Sequence, residues 1–471
     1  MRGAYPSGSD RSPFADPSGD LVPQFDSQMH SPLGRGAESG AMYGERFGGA
    51  GGNGGAGGGY RNYDTGNSEW LEKQQASSKR NKMLIIVGIL VVVIAVVAGI
   101  VAGVVISKHN SSSSSSGTSS GGSSSGGSNT ESSGGGTAGQ GVLRGSAGVV
   151  QLTDPNDAST YIKDPRLKNS FYGFAYTPMN VQLPWCGAVQ ANVTEDVILL
   201  SQLTTRIRLY GADCNQSALV LEGIQQSKVN LSVYLAIYVT DNTTSYEEQK
   251  QKVLDAITTY GVDHVEGVAV GNEFILNNLT DLNLSDPNST AGISAADYLI
   301  SLMADTRQSI QALGLSKTIP VGTADAGSMI TPHLLTGADF GMANVHPWFG
   351  NVAIDQAAGW TYDFFEDFDV APSLATTNKP PVSIAETGWP TASSSVADET
   401  DGPSTASVAN LQTFMNDFVC PSNQNGTQYF FFEYFDEPWK DAEFGGVEGW
   451  WGVFTSNKQL KNLTIPDCTH S

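Results

Sequence analysis

Two glutamates, Glu273 and Glu386, each close a short apolar run. The first follows Val268-Ala269-Val270-Gly271-Asn272. The second follows Pro381-Val382-Ser383-Ile384-Ala385 and opens Glu386-Thr387-Gly388-Trp389-Pro390. Such runs read as parallel strands buried on both faces. A glutamate at the C-terminal end of one lies at the lip of the core, where desolvation lets it hold a proton near neutral pH. Paired across a groove, one protonated and one ionised, two such groups have the chemistry of glycosidic cleavage. One gives a proton to the departing sugar oxygen, and the other attacks the anomeric carbon or activates water. A gap of about 5–5.5 Å implies a covalent intermediate and retention, and a wider one inversion. Taken alone, Glu273 is as well explained as a surface carboxylate or half of an ion pair. The second strand-end glutamate shifts the balance.

The elements that must position the pair form a repeating pattern. Strand-like runs fall at Phe171–Ala175, Thr205–Leu209, Ser232–Ile237, Val265–Val270, Thr318–Gly322, Phe340–Val345, Val382–Ile384 and Tyr429–Tyr434. Helical patterns lie between them. One opens at the capping-box sequence Ser245-Tyr246-Glu247-Glu248 and closes at Gly261, a second covers Ala295–Leu313 before Gly314, and a third Thr405–Phe418. Eight alternations in about 300 residues predict an α/β fold, a TIM (β/α)8 barrel. A nucleotide-binding sheet lacks support, because no Gly-x-Gly-x-x-Gly follows the first strand and no Walker lysine is present. Function in such a barrel gathers at the C-terminal strand ends. Those ends carry Tyr176, Tyr210, Asn272-Glu273, His346-Pro347-Trp348, Glu386 with Trp389, and Tyr434 through Glu437, Trp439 and Lys440. Aromatic faces stack on sugar rings without any need for charge. Tyr176, Tyr210, Trp348, Trp389, Tyr434, Trp439, Trp450 and Trp451 are therefore candidates for that role, each against the alternative of plain core packing.

The chain of 471 residues places this barrel, residues 165–471, behind three other segments. Residues 1–82 are rich in Gly, Ser, Asp and Pro with few branched apolar residues, a composition that predicts a disordered tail. Met83–Ile106 then runs 24 residues without a charge. As a helix it would reach about 36 Å, enough to cross a hydrocarbon core of about 30 Å. It lies too far from the N-terminus and is too long for a cleaved signal peptide. Lys73, Lys79, Arg80 and Lys82 precede it and only Lys108 closely follows. The positive-inside bias therefore predicts a single-pass type II signal-anchor in the cell membrane, with the tail cytosolic and the barrel outside. All four cysteines follow the span. So do ten Asn-x-Ser/Thr sequons, at Asn110, Asn192, Asn215, Asn230, Asn242, Asn278, Asn283, Asn288, Asn425 and Asn462. Residues 107–164 read as a Ser/Gly-rich stalk and linker. The net charge of −22 resides beyond the stalk and argues against nucleic acid as a ligand. A neutral polysaccharide meets no such penalty.

Val268–Glu273, Asn344–Phe349, Glu386–Pro390 and the tail of the eighth strand resemble glycoside hydrolase family 17, the β-1,3-glucanases, over about residues 165–471. With the segments in front, the chain resembles the membrane-anchored fungal endo-β-1,3-glucanases. The resemblance implies retaining catalysis, with Glu273 as proton donor and Glu386 as nucleophile. It also implies a site-lining group of Glu437, Lys440 and Glu448, which would keep the nucleophile ionised and bind hydroxyls. The family often carries Tyr where this chain has His346, a departure from its pattern at that subsite contact.

Four cysteines allow three pairings. Cys186 and Cys214 lie in the loops after the first and second strands, neighbours at the barrel mouth, so they are expected to pair. Cys420 and Cys468 would then tie down the C-terminus. Neither the six histidines nor the cysteines show ligand spacing, so no metal or other cofactor is expected. The reading is a monomeric catalytic domain that hydrolyses β-1,3-glucan of the cell wall internally. A glucanosyltransferase differs only in which hydroxyl resolves the intermediate. A non-catalytic wall-binding sensor fits the anchoring features equally, but it has no need of two strand-end glutamates.

Overall fold

The computed structural model describes residues 141–470. Eight strands form a closed barrel: β1 Gly173–Ala175, β2 Arg206–Arg208, β3 Ser232–Ile237, β4 Val265–Asn272, β5 Val321–Ala326, β6 Gly341–Asn344, β7 Val382–Thr387 and β8 Tyr429–Phe431. All neighbours are parallel, and β8 returns to β1. The fold is the (β/α)8 barrel that the eight alternations predict. Strand residues such as Phe174, Ile207, Val233, Val268, Ile384 and Phe431 have no exposed surface. Parallel strands covered on both faces need such unbroken apolar runs.

The strand expected at Thr318–Gly322 lies later, at Val321–Ala326, and all six of its residues are buried. Pro320 has no N–H to give a ladder, and the polar letters of Thr323 and Asp325 mask a strand that the fold buries nonetheless. Helix starts shift in the same way. The helix expected from Ser245 begins at Thr243, because the Asn242 side chain accepts the N–H groups of Thr244 and Ser245, and it ends at Gly261 as expected. The next long helix begins at Thr290, capped by Ser289, and ends at Ala312. The last runs Val408–Asn425 from a Ser407 cap to Gly426, continuing past Pro421 where the sequence pattern stops at Phe418.

The N-terminal boundary also differs. Residues 141–164, expected as linker, fold onto the barrel. Gly141–Val142 pairs antiparallel with Gln151–Leu152, and Val150, Leu152 and Ala158 join the core. The buried carboxylate of Glu195 accepts the backbone N–H groups of Ala147 (2.9 Å), Val149 (2.8 Å) and Val150 (3.2 Å). Two-residue strands carry no periodicity, so this strap has no sequence signature. The expected tail, the uncharged stretch Met83–Ile106, the stalk to residue 140 and Asn110 lie outside the described residues. Among the described residues no helix is long and apolar enough to cross a membrane.

Both disulfides pair as expected. Cys186–Cys214 joins the β1 and β2 loops, and Cys420–Cys468 ties the C-terminal segment to the last long helix. Asn215, Asn230, Asn242, Asn283, Asn288, Asn425 and Asn462 are exposed, whereas Asn192 and Asn278 are half-buried.

Candidate active site

The C-terminal ends of β2, β4, β6 and β7 converge on one polar cluster. Arg208, the last residue of β2, is 1% exposed. Its Nη2 donates to Asn272 Oδ1 of β4 at 2.7 Å. Its Nη1 donates to Asn344 Oδ1 of β6 (3.3 Å), to the Ala385 carbonyl (3.2 Å) and to Glu386 Oε1 of β7 (3.2 Å). The guanidinium lies 4.4 Å from the centre of the Tyr210 ring. A buried arginine needs partners for its fork of donors, and here one fork ties three strand ends together. The Asn344 amide completes the chain by donating to Glu273 Oε1 at 3.0 Å.

Local backbone aims each glutamate. At Gly271 the β4 chain takes φ +92°, and the β4–β5 register slips between Ala269 and Asn272. This bulge re-aims the residues that follow it. Glu273 itself sits in the left-handed region at φ +54° and caps the short helix Phe274–Asp281. Glycine in the Glu-Thr-Gly-Trp-Pro motif has a steric cause, since a Cβ on Gly388 would fall 1.9 Å from the Phe432 carbonyl oxygen.

The two glutamates are tuned in opposite directions. Burial and the nearby charge of Glu386 push Glu273 up to about 7 against the Asn344 hydrogen bond. Burial also raises Glu386, but the His346 hydrogen bond and the charges of Arg208, His346 and Lys440 outweigh it and hold the carboxyl below its ordinary value. His346 Nε2 meets Glu386 Oε2 at 3.0 Å. An ionised carboxylate can only accept, so Nε2 carries the proton. The His346 ring is held edge-on by Phe349, Phe432 and Trp451.

Beyond β8 lies a second charged group. Lys440 donates to Glu433 Oε2 at 2.6 Å and pairs with Glu437. Burial pushes the Lys440 ammonium down, but the two carboxylates outweigh it and raise its pKa. The resemblance groups Glu437, Lys440 and Glu448, whereas the carboxylates that pair with the lysine are Glu433 and Glu437. Glu448 is half-buried, is raised chiefly by burial, and meets Lys440 through its charge.

The expected aromatic rim divides. Trp389 has no exposed surface and donates from Nε1 to the Thr405 carbonyl at 2.9 Å. Trp348 is buried edge-on against it, with ring centres 5.6 Å apart. Tyr176 is buried with its hydroxyl on Asp196 Oδ2 at 2.9 Å, and Tyr434 packs edge-on against Tyr176. Trp451 is likewise buried. Five of the eight candidate rings thus shape the walls and offer no free face. Tyr210, Trp439 and Trp450 keep part of their surface. Tyr238, absent from the sequence expectations, is 39% exposed at the end of β3.

Arg208, Glu433 and Asp325 are absent from the sequence expectations, and Asn344 enters them only as the head of the segment Asn344–Phe349. A charged residue at the C-terminal end of an apolar run is the available signal for Arg208 and Asp325. Among the described residues no three His, Cys, Asp or Glu side chains are grouped to hold a metal ion.

A closed parallel barrel whose mouth holds two strand-end glutamates tuned in opposite directions is the architecture of the barrel glycoside hydrolases. The chain belongs to the BtgE/BtgC glycoside hydrolase domain family, whose pattern matches residues 173–452. It is 39% identical over 337 residues to the "Probable glucan endo-1,3-beta-glucosidase btgC" of Aspergillus flavus, a match covering 67% of this chain and 47% of that protein. It is 36% identical over 319 residues to the glucan endo-1,3-beta-glucosidase btgC of Emericella nidulans, covering 64% and 47%. The chain thus spans about half the length of the curated relatives it matches. Among solved structures it resembles an active-site mutant of Rhizomucor miehei beta-1,3-glucanosyltransferase in complex with laminaritriose. That match has a TM-score of 0.51 and 27% identity, over 63% of this chain and 98% of the other.

Proposed function

We propose that this barrel cleaves β-1,3-glucan internally with retention of configuration, with Glu273 as acid and then base and Glu386 as nucleophile. The observation that carries the reading is the opposed tuning of two strand-end glutamates that one arginine–asparagine chain connects. A carboxylate oxygen of Glu386 forms a bond to the anomeric carbon. The bond from that carbon to the bridging oxygen breaks, and the departing sugar takes the proton of Glu273. Water then gives its proton to Glu273 and its oxygen to the anomeric carbon, which frees Glu386. Asn272 and Asn344 stand beside the pair to orient hydroxyls, and Lys440 with Glu433, Glu437 and Glu448 adds polar contacts beyond β8. The names of the relatives support β-1,3-glucan as substrate, and the acidity of the chain suits a neutral polymer. Laminarin turnover is the test: Glu386→Ala and Glu273→Gln should each lose at least about a thousandfold in kcat/KM. Turnover at the wild-type rate would refute the assignment.

The likeness to a glucanosyltransferase favours a second reading at the same site, in which a sugar hydroxyl replaces water. Laminari-oligosaccharides longer than the starting material, seen by chromatography, would establish it.

We further infer that Met83–Ile106 anchors the protein as a type II membrane protein with a monomeric, glycosylated barrel facing the wall. The uncharged run, its basic N-terminal flank and the one-sided sequons support this. Protease added to intact cells should remove the barrel and spare the tail, and survival of the barrel would count against it.

A further inference from the structure

Asp325 is the penultimate residue of β5, Val321–Ala326, with no exposed surface, and the chemistry proposed above does not use it. Its Oδ2 accepts the N–H of Ile275 at 2.9 Å, and its Oδ1 accepts those of Leu276 at 3.3 Å and Ala326 at 2.9 Å. Ile275 and Leu276 form the first turn of the helix Phe274–Asp281, whose N-cap is Glu273. That N-cap makes no side-chain capping bond of its own, because the Glu273 carboxylate is turned to Asn344 instead. The orphan N–H groups of the turn are satisfied from the neighbouring strand.

We propose that Asp325 is a positioning residue for Glu273, its carboxylate clamping the first turn of the helix that Glu273 begins. The inference rests on Glu273 being the acid of the reaction. A left-handed φ of +54° at a glutamate is costly and persists only where the surroundings hold it. The Glu273 N–H donates to the Ala324 carbonyl at 3.2 Å, so β5 grips the residue on both sides of its Cα. The ionisable groups acting on Glu273 are Glu386 on β7, Asp325 on β5 and His346 beyond β6, and Tyr238 at the end of β3 feels its charge. Asp325 adds to the upward push on Glu273, so the clamp also helps keep the acid protonated. Burial raises Asp325 itself to about 7, and its three backbone hydrogen bonds oppose that rise.

The test is the pH dependence of laminarin turnover for Asp325→Asn and Asp325→Glu beside wild type, Glu273→Gln and Glu386→Ala. Asp325→Asn should lose at least about tenfold in kcat with KM within about twofold, and its basic limb should move to lower pH because a negative charge near Glu273 is gone. Asp325→Glu keeps the charge and misplaces the clamp, so kcat should fall with the basic limb unmoved. In the unaltered protein the amide hydrogens of Ile275 and Leu276 should exchange slowly. An Asp325→Asn profile that superposes on the wild type, or fast exchange at those two amides, overturns the inference, and the exchange result decides alone where a variant does not fold. Activity retained in Glu273→Gln would instead sink the underlying functional reading. Inactive Glu273→Gln with an unchanged Asp325→Asn sinks only the clamp.

Discussion

Glu273 and Glu386 are the same type of side chain tuned in opposite directions by what faces each. Glu273 meets burial and a neighbouring negative charge with one amide to offset them. Glu386 is also desolvated, with His346, Arg208 and Lys440 arrayed against that burial. Because the folded pKa of Glu273 is raised from 4.5 to about 7, the folded state binds more protons than the unfolded state across that window. Stability therefore falls as pH rises through it. Glu273→Gln should melt higher than wild type at pH 8, with the gap shrinking toward pH 5, and a constant gap would contradict the assigned burial cost. Arg208→Gln removes the charge that helps hold Glu386 down, so the acidic limb of activity should shift to higher pH, with about a hundredfold loss of kcat. The glutamates are legible in the sequence because each ends an apolar run. Arg208 and Asp325 leave a weaker signal, since a charged letter near the end of such a run also looks like a break, and Asn344 shows only as part of a strand-end segment. The tryptophans are harder to place for another reason: the sequence names the ring and not how it packs, and Trp389 and Trp348 are buried.

At the scale of elements, the site depends on irregularities at the ends of otherwise regular strands. The β4 bulge at Gly271 is the clearest, because only a residue without Cβ adopts φ +92° cheaply and a Cβ there would lie 3.0 Å from Leu299 Cδ2. Gly271→Ala should cost about 1–3 kcal/mol in chemical denaturation and lower kcat, because the displaced strand end carries both Asn272 and Glu273. The strand count and the helix C-terminus at Gly261 follow from periodicity and glycine punctuation. The start of β5 and the caps at Asn242, Ser289 and Ser407 do not, because a cap is one side-chain hydrogen bond and leaves no periodic trace. The disulfide Cys420–Cys468 closes 48 residues, and its loss should cost about 2–5 kcal/mol. Comparing melts of the Cys468→Ser variant and the wild type checks this.

At the scale of the whole domain, among the described residues, the barrel is held at its N-terminal side by a strap that the sequence reads as linker. Glu195 binds three backbone N–H groups of that strap and also meets Lys458 at 3.3 Å, while Lys458 reaches Asp196 at 2.7 Å. Without residues 141–164 the buried Glu195 would keep its lysine and lose its backbone donors, an uncompensated acceptor in a dry place. A fragment beginning at residue 165 should therefore melt several degrees below one beginning at residue 141, and equal melting temperatures would show the strap to be incidental. The acidic charge of the chain bears on partners more than on fold, and disfavours polyanions as ligands.

In the proposed reaction Glu386 forms a bond to the sugar while Glu273 handles the proton. Incubation with a 2-deoxy-2-fluoro laminaribioside bearing a dinitrophenyl leaving group, followed by peptide mass spectrometry, tests it most directly. The electron-poor sugar slows release of the intermediate more than its formation when the leaving group is good. A laminaribiosyl adduct on the peptide carrying Glu386 is the predicted result. An adduct on another carboxylate, or none while laminarin is being cleaved, would contradict it.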